Sequence, residues 1–365
     1  MNGYRQISPG QWFFISLFST ICLTPFGFPT TLYRFLGHGA WVPIVAAYLL
    51  TLWSMYVSLR ICERFQGLNL VQWSLKVMGR WVGSLYAIGV VVVMYLWGVF
   101  MLFVFLDLII YSQLHYTSRF LILIFLIGAV VYLLSQGLEV WVRWGELFAV
   151  LLLIGLLFIN VPQLANANFS NLLPFHNPVL ELSTYLKPEL IAALFIFRGI
   201  FSIYFLHPHI KPSKHLYRWS MFSITLAFIA VLAAIVLPIT IFGASFAGKL
   251  AFPYQESLGT VALPWLPIER ITLLTPIVWQ IIIVYVLCVS LFSTARGIKS
   301  LLNMKKERMI IYVLGVVTLG LTIYPVQQKT VFIFMVYWSL IGGFFLIVIP
   351  SFLWAIFAIK RGGAK

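Results

Sequence analysis

The side chains with the means to bind a ligand sit inside long apolar runs. Thr24, Pro25, Gly27 and Phe28 belong to the stretch Cys22-Leu23-Thr24-Pro25-Phe26-Gly27-Phe28-Pro29, and Arg198-Gly199 falls in the middle of a second run. Two prolines and a glycine interrupt what otherwise reads as one helix. Proline removes a backbone donor, clashes with the preceding turn and disfavours helix in the residue before it. Within a bilayer, freed backbone groups are tolerated only against protein or a water-lined cavity. A helix broken at that depth is therefore the sequence pointer to a transporter-type binding site. Counted from Gln11, Thr24 lies roughly 20 Å along a helix, close to the midplane. An outer half-helix restarting at Phe28-Pro29, with proline in its first turn, aims free N–H groups and a positive dipole end at the break. Such an end suits a carboxylate. Gly27 allows close backbone approach and Thr24 offers a hydroxyl. The competing reading is a proline kink packed against its neighbours.

Arg198 has a sharper requirement. An arginine at mid-membrane costs at least ~2.5–3.5 kcal/mol on insertion scales and so faces a partner or a cavity. Its candidate partners are an anionic ligand, Glu146, or the carbonyls at a half-helix end, and structural pairing competes with direct ligand contact. Gly199 supplies the break. Tyr95, Gly98, Val99 and Leu102 share one helical face, with Tyr95 roughly 21 Å beyond Trp81; Tyr285 and Ser290 lie similarly deep in a later run. Ordinary helix packing is the alternative for each. Asp107, near the outer end of its run, reads as a carboxylate snorkelling to the interface. Glu146 reads either as a proton-coupling carboxylate or, preferably, as an extension of the cluster begun by the i,i+4 pair Glu139 and Arg143. The histidines at 207, 209 and 215 match no metal spacing. No P-loop, zinc-protease helix, nucleophile elbow or paired-carboxylate arrangement is present, so neither an enzyme nor a cofactor or metal site is expected.

The elements that must position these residues follow from composition. The 365-residue chain is 62% hydrophobic and 9% charged, which excludes a soluble protein. Apolar runs of about 20 residues match a hydrocarbon core of about 30 Å, and the short alternating segments of a barrel are absent. About ten spans are expected: 11–35 (broken), 41–60, 81–111, 119–136, 141–161, 188–207, 217–243, 270–295, 309–325 and 331–358. An even number puts both ends on one side. Loops on that side carry 17 of the 24 Lys and Arg residues and loops on the other carry 6. Basic loops stay inside, so both ends are expected in the cytoplasm. The net charge of +15 is thereby explained by topology and anionic lipid headgroups rather than by nucleic acid. Between residues 61 and 80, Leu70, Trp73, Val77 and Trp81 recur near helical spacing beside Lys76 and Arg80, as in a short interfacial helix. Segments 162–187 and 244–269 read as outer loops, either capping a vestibule or simply ordered. Three cysteines without paired spacing imply no disulfide framework. The first span is retained rather than cleaved.

Spans one and six each contain an interruption. The chain then reads as one transmembrane domain, 1–365, of two halves with inverted topology, each opening on a broken helix. Repeat one covers about 11–161 and repeat two about 188–325, with 326–365 completing the fold.

Several motifs in order carry a resemblance: Ile7-Ser8-Pro9-Gly10-Gln11, the broken helix ending at Pro29, and Gly39-Ala40-Trp41-Val42. They continue with Phe65-Gln66-Gly67-Leu68-Asn69-Leu70, Met78-Gly79-Arg80-Trp81-Val82-Gly83, Gln136-Gly137-Leu138-Glu139 with Arg143 and Glu146, and Asn171-Leu172-Leu173-Pro174. Over essentially its whole length the chain resembles the bacterial endospore germination permeases, the GerAB/GerKB-type B subunits of nutrient germinant receptors. The resemblance implies an amino acid-polyamine-organocation superfamily fold, all-α, LeuT-like, with a 5+5 inverted repeat. It implies a small germinant, an amino acid by preference, bound in the spore inner membrane beside A-type and C-type receptor subunits. It places a pocket between spans one, three, six and eight, which here points to Thr24, Gly27, Tyr95, Val99, Gly199 and Tyr285. A secondary amino-acid transporter is the alternative function.

Overall fold

The computed structural model describes residues 7–21, 28–174, 182–261, 272 and 275–362. Apart from one backbone bridge, Ile7 to Ile210, the regular structure of those residues is helical. The first half contains α1 (Pro9–Ile21), α2 (Phe28–Leu36), α3 (Val42–Arg64), α4 (Leu70–Ser112), α5 (Arg119–Ser135) and α6 (Leu138–Asn160). Short helices α7 (Leu182–Tyr185), α8 (Pro188–Ala193) and α9 (Ile203–Leu206) follow, then α10 (Leu216–Phe242), α11 (Ala244–Ala247) and α12 (Pro253–Gly259). The chain ends with α13 (Thr275–Leu301), α14 (Glu307–Thr322), α15 (Gln328–Gly343) and α16 (Ile349–Gly362). A single π-helical turn, Phe344–Val348, joins the last two into one long rod.

Among the described residues, six helical stretches are long and apolar enough to cross a membrane: 28–64, 70–112, 138–166, 216–242, 275–301 and 328–357. The protein is a polytopic helical membrane protein. The expected spans fall on α1 with α2, α3, the second part of α4, α5, α6, α8 with α9, α10, α13, α14, and α15 with α16. One adjustment has a local cause. α4 begins eleven residues before the expected span, because the interfacial helix and the span run together through Gly79, whose φ of 76° bends the chain. Asn69 and Gln72 cap that start reciprocally, at 3.1 Å and 3.0 Å. Leu70 and Trp73 are buried as their spacing predicts, whereas Trp81 lies beyond the bend and is 88% exposed.

The loops segregate to two ends. At one end Ile7 joins His209 and Lys211 through backbone bonds of 2.7 and 2.9 Å, Asn69 donates to Ser300 at 2.6 Å, and Phe65 meets Phe357. At the other end Gln113 donates to the Thr272 carbonyl, Arg119 to the Thr322 carbonyl, and Arg34 to the Gly248 carbonyl. The two described ends of the chain therefore share one face, as an even span number requires.

Packing pairs the first four spans each with the one five places later. α4 lies along α13, α3 along α10, α5 along α14, and α1 against residues 198–202. Small residues set the closest approaches: a Cβ on Gly98 would stand 2.2 Å from the Ser290 hydroxyl oxygen, and one on Gly297 would stand 2.2 Å from Val91. Ser290 also donates to the Met94 carbonyl at 2.7 Å. Small and hydroxyl residues are what hold helices together where lipid removes the hydrophobic drive.

Candidate functional site

The two interrupted spans are tied at three levels. At the end carrying both chain ends, the Ile7 bridge fastens the start of α1 to the loop after α9. Midway, α1 and the break of the sixth span touch backbone to backbone: a Cβ on Gly199 would lie 2.4–2.6 Å from the hydroxyl, carbonyl carbon and carbonyl oxygen of Ser19. At the opposite end, the Lys187 ammonium sits 4.2 Å from the centre of the Phe35 ring, joining α2 to the lead-in of α8. Hydroxyls and an indole sew α1 to α10: Trp12 Nε1 donates to Ser220 at 2.9 Å and Ser223 to Ser16 at 2.9 Å.

Thr24, Pro25 and Gly27 lie outside the described residues. Phe28 begins α2, with Pro29 in its first turn as the sequence predicts. α8 stops at Ala193, and an irregular stretch leads to the 3₁₀ turn Arg198–Ser202. Arg198 is 6% exposed, and among the described residues no other Lys, Arg, Asp or Glu is buried to that degree. Its Nε donates to the Phe195 carbonyl at 3.1 Å and a terminal nitrogen donates to Ser339. No described carboxylate pairs with it. Glu146, one candidate partner, instead accepts from Gln11 at 2.8 Å, and Gln11 itself closes a reciprocal cap with Ser8 at the start of α1. The Arg143–Glu139 pair forms as expected, at 2.5 Å, so Glu146 extends a polar rim at the inner end.

Arg198 and Phe28 face one narrow cavity of about 30 Å³. Trp97, Phe100 and Met101 of α4 form one wall, Ala192 and Ile196 another. Phe332, Met335, Val336 and Ser339 of α15 close it. The lining is apolar except for one guanidinium and one hydroxyl. α15 approaches the break closely because Gly343 carries no side chain: a Cβ there would stand 2.4 Å from the Phe195 ring. The tenth span contributes the residues that sequence reasoning missed. Its apolar positions carry no periodic signal, and Ser339, one of its few hydroxyls, was the available clue.

The remaining expected residues are dispersed. Tyr95 hydrogen-bonds Thr318 of α14 at 3.1 Å, and Val99 packs with Phe103 and Val331; both look toward spans nine and ten. On the same helix Gly98 faces Ser290 instead. Tyr285 is buried among Phe18, Trp141 and Trp144, on the α1–α6 side. It lies directly over Gly145, whose Cβ would come within 1.7 Å of its ring. Its hydroxyl finds no partner among the described residues. Asp107, expected to snorkel, is held by Arg119 at 3.2 Å; Arg119 also caps the C-terminal carbonyl of α14 and lies over the Phe103 ring. Among the described residues no group of three His, Cys, Asp or Glu stands close enough to hold a metal ion.

The architecture is that of a membrane transporter fold. It is shared with two mutant structures of a manganese transporter from Eremococcus coleocola, at TM-score 0.57 with 16% and 15% identity, covering 95% of this chain and 78% of that one. Within that class, the family model described as spore germination protein matches residues 6–331, and the chain belongs to that family. A curated relative, spore germination protein GerQB of Bacillus cereus, is 22% identical over 320 residues, 86% of this chain and 84% of the relative.

Proposed function

We propose that this germination-family membrane protein is a ligand-sensing B subunit of a nutrient germinant receptor, holding a small germinant in the cavity between its two interrupted spans. The observation that carries the proposal is Arg198. A guanidinium buried at mid-span without a carboxylate partner is costly, and it faces an otherwise apolar cavity of about 30 Å³, which must widen to admit a small ligand. An anionic group on the ligand, with an apolar body against Trp97, Phe100 and Met335, completes the charge. An amino acid has that form and is the preferred class; Thr24, Pro25 and Gly27 are assigned to its polar end. Gly199 joins the two interrupted spans. Tyr95, Val99 and Tyr285 are assigned to the helices around the site rather than to the cavity. Occupancy shifts the balance between two helix arrangements.

The pairing of spans one to four with the spans five places later supports a 5+5 inverted repeat built on broken spans one and six. The basic loops gather on the face shared by both chain ends, which supports a cytoplasmic location for those ends. Family membership supports the spore inner membrane and association with A-type and C-type subunits. Nothing in the site serves bond-making chemistry, and the reading is non-enzymatic.

A fold shared with a transporter favours a second reading, secondary amino-acid transport, proton-coupled or by exchange. Uptake of labelled amino acids into proteoliposomes holding this chain alone separates the two. The receptor reading expects no accumulation; gradient-driven accumulation overturns it.

A further inference from the structure

At the face carrying both chain ends, a second cavity of about 540 Å³ opens between the cap of α4, the segment after α9 and the last turns of α13. Arg296, Lys299, Asn69, Gln72 and Asn303 provide its polar lining, with Phe205 and Met304 beside them. No carboxylate lines it. Glu307, the counter-charge, stands behind the two cations, ion-paired with Arg296 Nε at 2.8 Å and accepting a hydrogen bond from Lys299 Nζ at 3.0 Å. Arg296 is thereby paired on one side, and its guanidinium lies over the Phe292 ring. Its terminal nitrogens have no hydrogen bond among the described residues, and Gln72 spends only its carbonyl oxygen, on Asn69 N–H. The site offers a rigid guanidinium edge, an ammonium and carboxamides, donors converging from three separate elements.

We infer that this cavity binds a phosphate ester at the inner face of the protein. A phosphate carries up to two negative charges and three acceptor oxygens, matching a guanidinium edge and an ammonium better than a single carboxylate does. Basic pockets between helices on this side of a membrane are suited to anionic headgroups, and the apolar residues beside the cations leave room for a glycerol backbone. The same chemistry is met by a soluble phosphate ester. Because Pro208 and His209 line the cavity and Ile7 is bonded to His209, an occupant clamps the inner ends of both interrupted spans against α13.

The test uses the full chain in phosphatidylcholine nanodiscs at constant ionic strength. Thermal midpoints are followed against glycerol 3-phosphate, and against phosphatidylglycerol doped into the disc. A rise of several degrees with the soluble ester identifies a cytoplasmic ligand; a rise with doped lipid alone identifies a headgroup. Lys299→Gln, and Asn303→Asp, which keeps both cations and suits the left-handed backbone at 303 (φ 51°), weaken the response about tenfold. Lys214→Gln, exposed in the neighbouring loop, responds as the parent does. Arg198→Gln also keeps the response, which separates this cavity from the mid-membrane one. No rise with either probe, or equal responses in Asn303→Asp and the parent, overturns the inference.

Discussion

Two pairs of spans cross the centre of this molecule, and they solve the backbone problem in opposite ways. α13 and the part of α4 beyond the Gly79 bend run as continuous helix and interlock through Gly98, Ser290 and Gly297. The first span, described as α1 and α2, and the sixth, which leaves the helix before Arg198, meet backbone to backbone at Ser19 and Gly199 and hold the most deeply buried formal charge of the described residues. A continuous pair is a wall. A broken pair leaves polar groups that must be answered by protein or by something bound. On the proposed function, ligand specificity and rigidity fall to different helices, side by side.

The contrast can be broken most forcefully at its contact points. Gly199→Ala drives a methyl into the Ser19 backbone, which has no rotamer to yield, and is expected to cost about 3 kcal/mol, read as a lowered thermal midpoint. Gly98→Ala meets the Ser290 side chain and is expected to cost about 1.5 kcal/mol. The reverse order would mean that the continuous pair is the tighter joint. Gln11→Leu removes the tie between the start of α1 and Glu146 and should cost about 1 kcal/mol, without altering germinant response. A lost response would give that tie a functional part.

A further effect is on pH. Burial, with Arg296 and Lys299 nearby, pushes His209 down to about 4 from its ordinary 6.5. The native state therefore refuses a proton that the unfolded chain accepts between those values. Stability is full above pH 6.5 and falls as pH drops toward 4, and His209→Gln should flatten that slope. An unchanged slope would place the acid sensitivity elsewhere.

Much of the fold was legible because the bilayer imposes few solutions. Hydropathy located every span, and loop charge separated the two faces. Pro29 and Gly199 marked interruptions that backbone chemistry requires. Arg198 and Phe28, flagged by an intramembrane charge and a helix restart, meet in one cavity. The rest of the site was illegible for a physical reason. A helix hydrophobic all round gives no clue to which face meets which neighbour, so Tyr95 and Val99 were grouped with the pocket whereas Trp97, Phe100 and Met101 line it. Met335 and Ser339 sit on a span that resemblance did not place at the site. Asp107 and Arg119 are twelve residues apart across a helix turn, a pairing that local spacing rules do not reach.

The most direct measurement compares ligand-dependent thermal stabilisation of the parent chain and Arg198→Gln in nanodiscs, across amino acids, sugars and nucleosides. Ligand that binds only the folded state raises its stability by about 2.7 kcal/mol at a hundredfold excess over Kd. The account predicts that at least one carboxylate-bearing compound stabilises the parent. It predicts that Arg198→Gln melts no lower than the parent without ligand, since a buried unpaired charge is gone, and shows no shift with it. A variant that keeps the full shift would contradict the assignment of Arg198 to the ligand.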